Sequence, residues 1–340
     1  MAGSRFICWG AVGVLFMLGC ITPTGFLFWI PAAVLAAVLI GAFVAVELRR
    51  THPLLPVTIF ANKRFSAASV AITSAFFALF GFVFLVAQYF QLVRGYSPLE
   101  SGVRTLPVAV TIAVASVAAP RLVQRFGTTV VVRRGLGLLA LSFVWIALRI
   151  GVGTDYLEIV GMMVVMGIGL GWTTAPATES IMGSLTPDKA GVGSAVNDTT
   201  RELGGTLGVA IIGSVFSSLY TGSLDSADGV FAQLPPEAQA ITRESVGAAR
   251  IVAERVAAVA GEGAAQGYLD QVNEAFLSGM RVGTLVAAGV AFAGALFAAR
   301  FLPARAADQE DPVLLGDGVV AGPGVELGAF DLKVLDEVLG

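Results

Sequence analysis

The chain has 340 residues, of which 56% are hydrophobic and 13% are charged, and its formal net charge is −3. A soluble domain carries about 25% charged residues, so this composition excludes an ordinary water-soluble globular protein and predicts a protein that lies in lipid. Two cysteines, Cys8 and Cys20, and one histidine, His52, are present and form no ligand cluster. We therefore expect no metal ion and no cofactor.

Eight mostly apolar segments follow one another along the chain. A helix needs about 20 apolar residues to cross the hydrocarbon core, and an open strand edge cannot be satisfied there. The sequence therefore predicts an all-α polytopic membrane protein with about eight transmembrane helices. The segments are 6–21, 26–46, 65–93, 105–119, 135–150, 156–177, 191–219 and 276–299.

Successive connections between the predicted spans are alternately rich and poor in lysine and arginine. By the positive-inside rule, the connections rich in these residues are cytoplasmic. We expect a multi-pass protein of the plasma (inner) membrane with both termini in the cytoplasm. The rich connections carry Arg49, Arg50, Lys63 and Arg64, then Arg121, Arg125, Arg133 and Arg134, then Lys189, then Arg300 and Arg305; the poor ones carry Arg94, Arg104 and Arg149.

Two segments lie outside the predicted spans. Residues 220–275 form an extracytoplasmic loop, in which ITRESVGAARIVAERVAAVA predicts one amphipathic helix. We interpret this loop as a solvated cap in preference to a binding domain. Residues 306–340 are acidic and rich in turn-forming residues, which is typical of a disordered cytoplasmic tail.

Glycine-rich stretches at Gly135 and Gly167 raise the question of a nucleotide-binding enzyme. Each lies inside an apolar span with no preceding strand, whereas a phosphate-binding loop needs a strand, a turn and the start of a helix. These glycines, and Gly204 with Gly208 four residues apart, instead predict close helix packing. No GxSxG or HExxH motif is present, so we do not expect an enzyme.

Four stretches carry a family resemblance: GVGSAVNDTTRELGGTLGVAIIGSVFSS, HPLLPVTIFANKRFSAASVAI, QYFQLVRGYSPLESGVRTLPVAV and APRLVQRFGTTVVVRRGL. Together they resemble the C-terminal portion of the fourteen-helix drug:proton antiporters of the major facilitator superfamily, the EmrB/QacA type. The resemblance covers about residues 5–305. It implies that 1–50 is the extra central helix pair and that 51–305 is the C-terminal six-helix half of the transporter.

The cytoplasmic loop motif of this family corresponds to Arg121, Arg125 and Gly127. Where the family usually has an aspartate and a basic residue, this chain has Gln124 and Thr128. A second departure is larger, because the N-terminal six helices of the family have no counterpart in this sequence. A truncated gene, a start codon placed too far downstream and a split transporter all remain open, and the second is our preferred interpretation.

The polar residues of the seventh span fall on one face. At 100° per residue, Asp198, Arg201 and Glu202 share an arc of about 100° near the cytoplasmic end of this span. Glu179 on the preceding antiparallel span should lie at a similar depth. Two interpretations remain open: a carboxylate that exchanges protons during transport, with Asp198 favoured over Glu202, or an ion pair of Arg201 that closes the cytoplasmic gate.

Gln88 and Gln91 are uncharged polar residues within the third span. Polar side chains at that depth face a cavity or hydrogen-bond between helices. We expect both to line the cavity.

The resemblance implies proton-coupled export of drugs or other amphipathic small molecules by alternating access. The implied partners are lipid, substrate and protons, together with the absent six-helix half or a second copy of the chain; no nucleic-acid partner is expected. The alternative is a transport-incompetent membrane protein that only packs against a partner half or other helices.

The predicted orientation can be tested with single cysteines in a chain lacking Cys8 and Cys20. Cysteines at Ser97 and Ser226 should react in intact cells with a thiol reagent that cannot cross the membrane, because both positions lie in extracytoplasmic connections. A cysteine at Thr128 should stay unlabelled. Labelling at the cytoplasmic position alone would invert the orientation.

Overall fold

The computed structural model describes residues 25–49, 57–186, 189–226 and 229–302. These residues form helices joined by short connections, with no β-strand among them. The helices are α1 (Gly25–Arg49), α2 (Lys63–Gln88, continued by a π-helical turn at Tyr89–Val93), α3 (Pro98–Phe126), α4 (Thr128–Arg149), α5 (Tyr156–Met182), α6 (Ala190–Asp225), α7 (Pro236–Glu244), α8 (Val246–Ala260) and α9 (Glu262–Phe301). Short 3-10 turns lie at Val57–Ala61 and Phe231–Gln233.

Six helices of the described residues are long and apolar enough to cross a membrane, namely α2 with its π turn, α3, α4, α5, α6 and α9. They correspond to the third to eighth predicted segments, which confirms an all-α polytopic membrane protein. The second predicted segment lies within α1, and the first lies outside the described residues, as does the predicted tail.

Local sequence signals fix where several helices begin. The Asn62 side chain accepts hydrogen bonds from the first backbone N–H groups of α2. Ser97 and Glu100 form a capping box at the start of α3, and Asp155 caps α5. Each cap satisfies a backbone donor that the helix itself leaves free.

The membrane helices pack as one bundle. Helix α2 contacts α5, α6 and α9, and α4 lies between α5 and α9, while α3 packs mainly on α5. As a result α3 is the least covered: 17% of its most apolar stretch is buried, against 56% for α2 and α4. Its large exposed side chains recur every three or four residues and therefore form one stripe, made of Leu99, Val103, Leu106, Val110, Val114 and Val117.

The predicted role of the glycines in close packing is confirmed. A Cβ added at Gly204 or Gly208 of α6 would overlap the carbonyl oxygen of Thr73 or Phe77 on α2. One added at Gly135 of α4 would lie 2.8 Å from the carbonyl oxygen of Gly169 on α5. Helix backbones thus touch where side chains are missing, which is how helices gain close contact in lipid.

Helix α5 carries two further glycines on the side facing α3. An added Cβ at Gly167 would lie 3.0 Å from the carbonyl oxygen of Val108. One at Gly171 would lie 2.8 Å from the backbone nitrogen of Ser116. The glycine-rich stretch of this span therefore serves two neighbouring helices.

Residues 229–261 fold over one end of the bundle, and we call them the cap. The prediction of a single helix over 241–260 is wrong, because the chain forms two helices, α7 and α8, that meet at Ser245. Ser245 has an extended backbone, and its side chain accepts hydrogen bonds from Gly247 and Ala248 N–H. Serine favours this N-cap geometry over a helix interior, so it ends one helix and starts the next.

The connection between α3 and α4 is a single residue, Gly127. Its φ of 82° lies in the region that side chains other than glycine rarely adopt, and it ends one helix while starting the other. Thr128 next to it is 5% exposed, so a cysteine there would label poorly for reasons of burial alone. The exposed Gln124, three residues before Gly127, is the better reporter for that face.

The contact between α2 and α6 yields a test of packing. Gly208→Ala should lower the thermal stability of the purified protein in nanodiscs, because the new methyl group overlaps the Phe77 backbone; overpacking of this kind typically costs about 1–3 kcal/mol. Gly222→Ala on the same helix is the control, since nothing lies within 4 Å of its added Cβ. Equal stability of the two variants would contradict backbone contact between these helices.

Candidate functional site

The charged turn of α6 lies close to its start. Asp198, Arg201 and Glu202 occupy the third and fourth turns of a helix that begins at Ala190, and no further charge follows before Asp225. Asp198 and Glu202 are exposed on the surface of the bundle, and Arg201 is half-buried. Asp198 and Glu202 therefore lie on an exposed face of α6, whereas Arg201 is partly covered by the neighbouring helices.

Arg201 contacts the two helices on either side of α6. Its Nη2 donates a hydrogen bond of 3.1 Å to Thr178 Oγ1 on α5. Its guanidinium carbon lies 5.2 Å from the centre of the Phe76 ring on α2, within the range of a cation–π interaction. The Thr178 hydroxyl in turn donates to Asn197 Oδ1 at 3.2 Å, which returns the contact to α6.

Arg201 forms no ion pair with the carboxylates around it. Within the described residues, the ion pairs are Arg149–Glu158, Arg243–Asp225 and Arg281–Glu274, all remote from this turn in sequence. The ion-pair gate considered from the sequence is therefore not formed in this conformation. The Arg201 Nε is buried without a hydrogen-bond partner, so the guanidinium keeps unused donor capacity.

The depth of the site follows from the helix contacts. Gly204 lies against Thr73 and Gly208 against Phe77, so α2 and α6 run parallel and in register. Thr73 is ten residues from Lys63 at the start of α2, a distance of about 15 Å along the axis. The charged turn lies slightly closer to that end, near one edge of the hydrocarbon core.

Glu179 lies at the same level. It follows Thr178, whose hydroxyl is bonded to Asn197 next to Asp198, and its side chain is exposed. Three carboxylates and one guanidinium thus lie at a similar level on the neighbouring helices α5 and α6.

Gln88 and Gln91 lie at the other end of α2, where the helix widens into the π-helical turn Tyr89–Val93. Both side chains are half-buried, and Gln88 Nε2 donates to the carbonyl oxygen of Phe84 in its own helix at 3.3 Å. The structure therefore does not join these glutamines to the charged turn. π-helical turns inside α-helices often mark functional segments, and sequence periodicity gives no warning of one.

The loop-motif residues surround the α3–α4 joint. Arg121 and Arg125 are exposed on the last turns of α3, and Gly127 supplies the joint itself. The Arg134 guanidinium lies 5.6 Å from the Phe126 ring, which adds a cation–π contact between the two helices. Of the three motif positions, Gly127 thus joins α3 to α4, whereas the contact between the two helices comes from Arg134 and Phe126.

Sequence reasoning missed the partners of Arg201. Phe76 lies on α2, 125 positions away in the chain, and looks like any apolar residue of a span; Thr178 carries no signal except its place beside Glu179. It assigned Arg64 to a cytoplasmic connection but did not predict that this side chain is only 9% exposed or that its buried Nε has no partner. No group of three or more metal-ligating side chains occurs in the described part of the chain.

Comparison with known proteins assigns this chain to a family. The Major Facilitator Superfamily profile matches residues 3–209. The chain is similar to the multidrug efflux pump LfrA of Mycolicibacterium smegmatis, with 32% identity over 78% of this chain and 51% of that protein. It is also similar to the tetracenomycin C resistance and export protein of Streptomyces glaucescens, with 31% identity over 92% of this chain and 58% of that protein.

A third relative is the methyl viologen resistance protein SmvA of Salmonella typhimurium, with 31% identity over 71% of this chain and 47% of that protein. Among solved structures, a bacterial homologue of the human lysosomal transporter Spinster, in an inward-facing and unoccupied conformation, has a TM-score of 0.52 and 21% identity. This match covers 73% of the chain and 50% of that structure and supports the fold alone. The chain spans about half the length of the relatives it matches. From the profile match and these relatives, the chain belongs to the Major Facilitator Superfamily, a family of membrane transporters.

Proposed function

We propose that residues 51–305 form the C-terminal six-helix half of a fourteen-helix drug:proton antiporter of the EmrB/QacA type, and that residues 1–50 form its central helix pair. With a second six-helix half, or a second copy of the chain, this half lines a cavity and exports amphipathic compounds by alternating access. The protein acts in the plasma membrane with both termini in the cytoplasm.

The observation that carries this proposal is the exposure of Asp198, Glu202 and Glu179 on membrane-spanning helices. A charged side chain in the hydrocarbon region is costly unless it faces water or another protein surface. These carboxylates lie at a similar level on the neighbouring helices α5 and α6, so lipid is a poor neighbour for this face. A cavity shared with a second half satisfies them and gives a path for both protons and substrate.

Names of the relatives support the substrate class. Two relatives carry names of multidrug efflux and of resistance to methyl viologen, and another is named for export of tetracenomycin C. An acidic cavity wall suits cationic compounds, because carboxylates attract them across a low-dielectric space. We propose that Asp198, Glu202 and Glu179 lie on the substrate and proton path, and that Gln88 and Gln91, at the other end of α2, line the same cavity.

The need for a second half can be tested in vesicles. The chain alone should not accumulate or expel a cationic dye when a pH gradient is imposed, because alternating access requires two halves that move relative to each other. The chain together with a six-helix N-terminal half from a relative such as LfrA should restore gradient-driven transport. Transport by the chain alone, with a dimer in cross-linking, would assign the second half to another copy. No transport in either preparation would contradict the proposed function.

The proton carrier can be tested in the complete transporter. Asp198→Asn and Glu202→Gln keep the shape and hydrogen bonding of each side chain, so dye binding should persist. We expect the Asp198 variant to lose transport driven by the pH gradient by at least about tenfold, the effect of about 1.4 kcal/mol or more on the coupled step. Glu244→Gln, on an exposed residue of α7, is the matched control. Full gradient-driven transport in the Asp198→Asn, Glu202→Gln double variant would exclude both carboxylates.

The role of Arg201 has its own test. Arg201→Ala removes a hydrogen bond and a cation–π contact but breaks no ion pair. We expect a stability loss of about 2 kcal/mol, smaller than the 3–5 kcal/mol typical of a broken buried ion pair. Thr178→Val, which removes only the hydroxyl, should give part of that loss in thermal melts. An unchanged melting temperature in both variants would remove Arg201 from the packing of α2, α5 and α6.

A further inference from the structure

The cap is fastened to the ends of two membrane helices. The Tyr220 hydroxyl on α6 donates to the carbonyl oxygen of Thr242 on α7 at 2.9 Å. The hydroxyls of Thr242 and Tyr268, the latter on α9, lie 2.7 Å apart, and all three residues are buried. An ion pair of 2.8 Å between Arg243 and Asp225 adds a second link between α7 and α6.

The loop that precedes α7 is also fixed in place by hydrogen bonds. The Gln239 side chain donates to the carbonyl oxygens of Ala232 and Leu234 at 3.2 and 3.0 Å. Phe231 N–H donates to Gln271 Oε1 on α9 at 3.1 Å, and the Phe231 ring is 2% exposed. The walls of the cap are therefore fixed by specific bonds on both sides.

These walls border a cavity of about 490 Å³, open to water on one side, between the loop, α7, α8 and the first turn of α9. This volume lies within the range of about 300–1,000 Å³ typical of sites for small organic molecules. Its lining is mainly apolar and includes Leu234, Ile241, Val252, Val256 and Ala264. Transfer of an apolar molecule from water into such a cavity lowers the free energy, because apolar surface is removed from water.

The cavity lies beyond the hydrocarbon core. Helix α9 has 40 residues and is about 60 Å long, twice the thickness of the core, and the cavity is at its first turn. On α6, the contact with the cap at Tyr220 is 19 residues from Arg201, or about 28 Å along the axis. The cap cavity is therefore separate from the charged turn and is reached from water.

Two charged side chains of opposite sign, Glu237 and Arg255, also line the cavity. Both are exposed, and neither takes part in an ion pair in the described part of the chain. A ligand with an apolar body can therefore bury that body in the cavity and keep a charged group near one of these two side chains, at the water boundary.

We propose that the cap cavity binds small amphipathic organic ions: the apolar body fills the space between α7 and α8, and the charged group lies beside Glu237 or Arg255. This site is independent of the proposed transport cavity and does not require transport. It would hold such compounds on the cap side of the membrane.

The test uses protection of a cysteine, so that partition of a probe into lipid does not count as binding. Ile241→Cys, in the chain with Cys8→Ser and Cys20→Ser in nanodiscs without detergent, reports on the cavity; Ile251→Cys on α8 is exposed, does not line the cavity and is the control. Tetraphenylphosphonium and anilinonaphthalene sulfonate should each slow labelling of the first cysteine in a saturable manner. At ten times the dissociation constant the rate should fall about tenfold, since only the free protein reacts. Labelling of the control should not change.

Charge and volume variants identify the site. Glu237→Gln should weaken protection by the cation and leave protection by the anion, and Arg255→Gln should do the reverse. Ala238→Trp fills the cavity and should abolish both, whereas Ala240→Trp, exposed on the same helix and outside the lining, should not. Circular dichroism checks that the tryptophan variants fold. The proposal is overturned if neither probe protects Ile241→Cys, if the charge variants affect both probes alike, or if the cysteine is already unreactive in the complete transporter because protein covers the cavity.

Discussion

Backbone contact at glycine is the interaction on which the bundle depends. Helices in a bilayer gain little from leaving lipid for one another, because lipid tails are as apolar as leucine side chains. Their attraction must come from close approach, and Gly204, Gly208, Gly135 and Gly169 provide it by leaving no side chain between neighbouring backbones. The register that these contacts set between α2 and α6 also brings Arg201 over the Phe76 ring.

The sequence was sufficient for some features because they are local or periodic. Apolar segments of membrane length predict the six described spans, and glycines inside those spans predict close packing. The arc that groups Asp198 with Glu202 follows from helix geometry alone. These features need no knowledge of which helices are neighbours.

The features that escaped prediction depend on neighbours or on competition between close alternatives. The pairing of Arg201 with Phe76 and Thr178 requires three helices to be placed together, and no pattern within α6 encodes that placement. The break at Ser245 is a local effect: the amphipathic pattern continues across this residue, but its side chain caps the second helix instead of continuing the first. The cap cavity arises only when the loop, α7, α8 and α9 meet.

Arg201 and the carboxylates near it differ in the contacts that they make. Arg201 is held by a hydroxyl and an aromatic ring, while Asp198, Glu202 and Glu179 stay uncompensated within the described bundle. The uncovered stripe of α3 lies on the same bundle and is apolar throughout, so it can meet lipid or protein equally well. In the function that we propose, the carboxylates are the feature that distinguishes the surface for a second half from a surface for lipid.

Helices α6 and α9 have a mechanical consequence because each continues without a break from the membrane to the cap. With 36 and 40 residues they are about 54 and 60 Å long, so roughly half of each lies beyond a hydrocarbon core of about 30 Å. A rigid rod that tilts by about 5° about the middle of the bilayer displaces a point about 30 Å away by about 2.5 Å. Any tilt of α6 and α9 in the bilayer is thus transmitted to the cap, which moves at the water surface by an amount set by the length of these two helices.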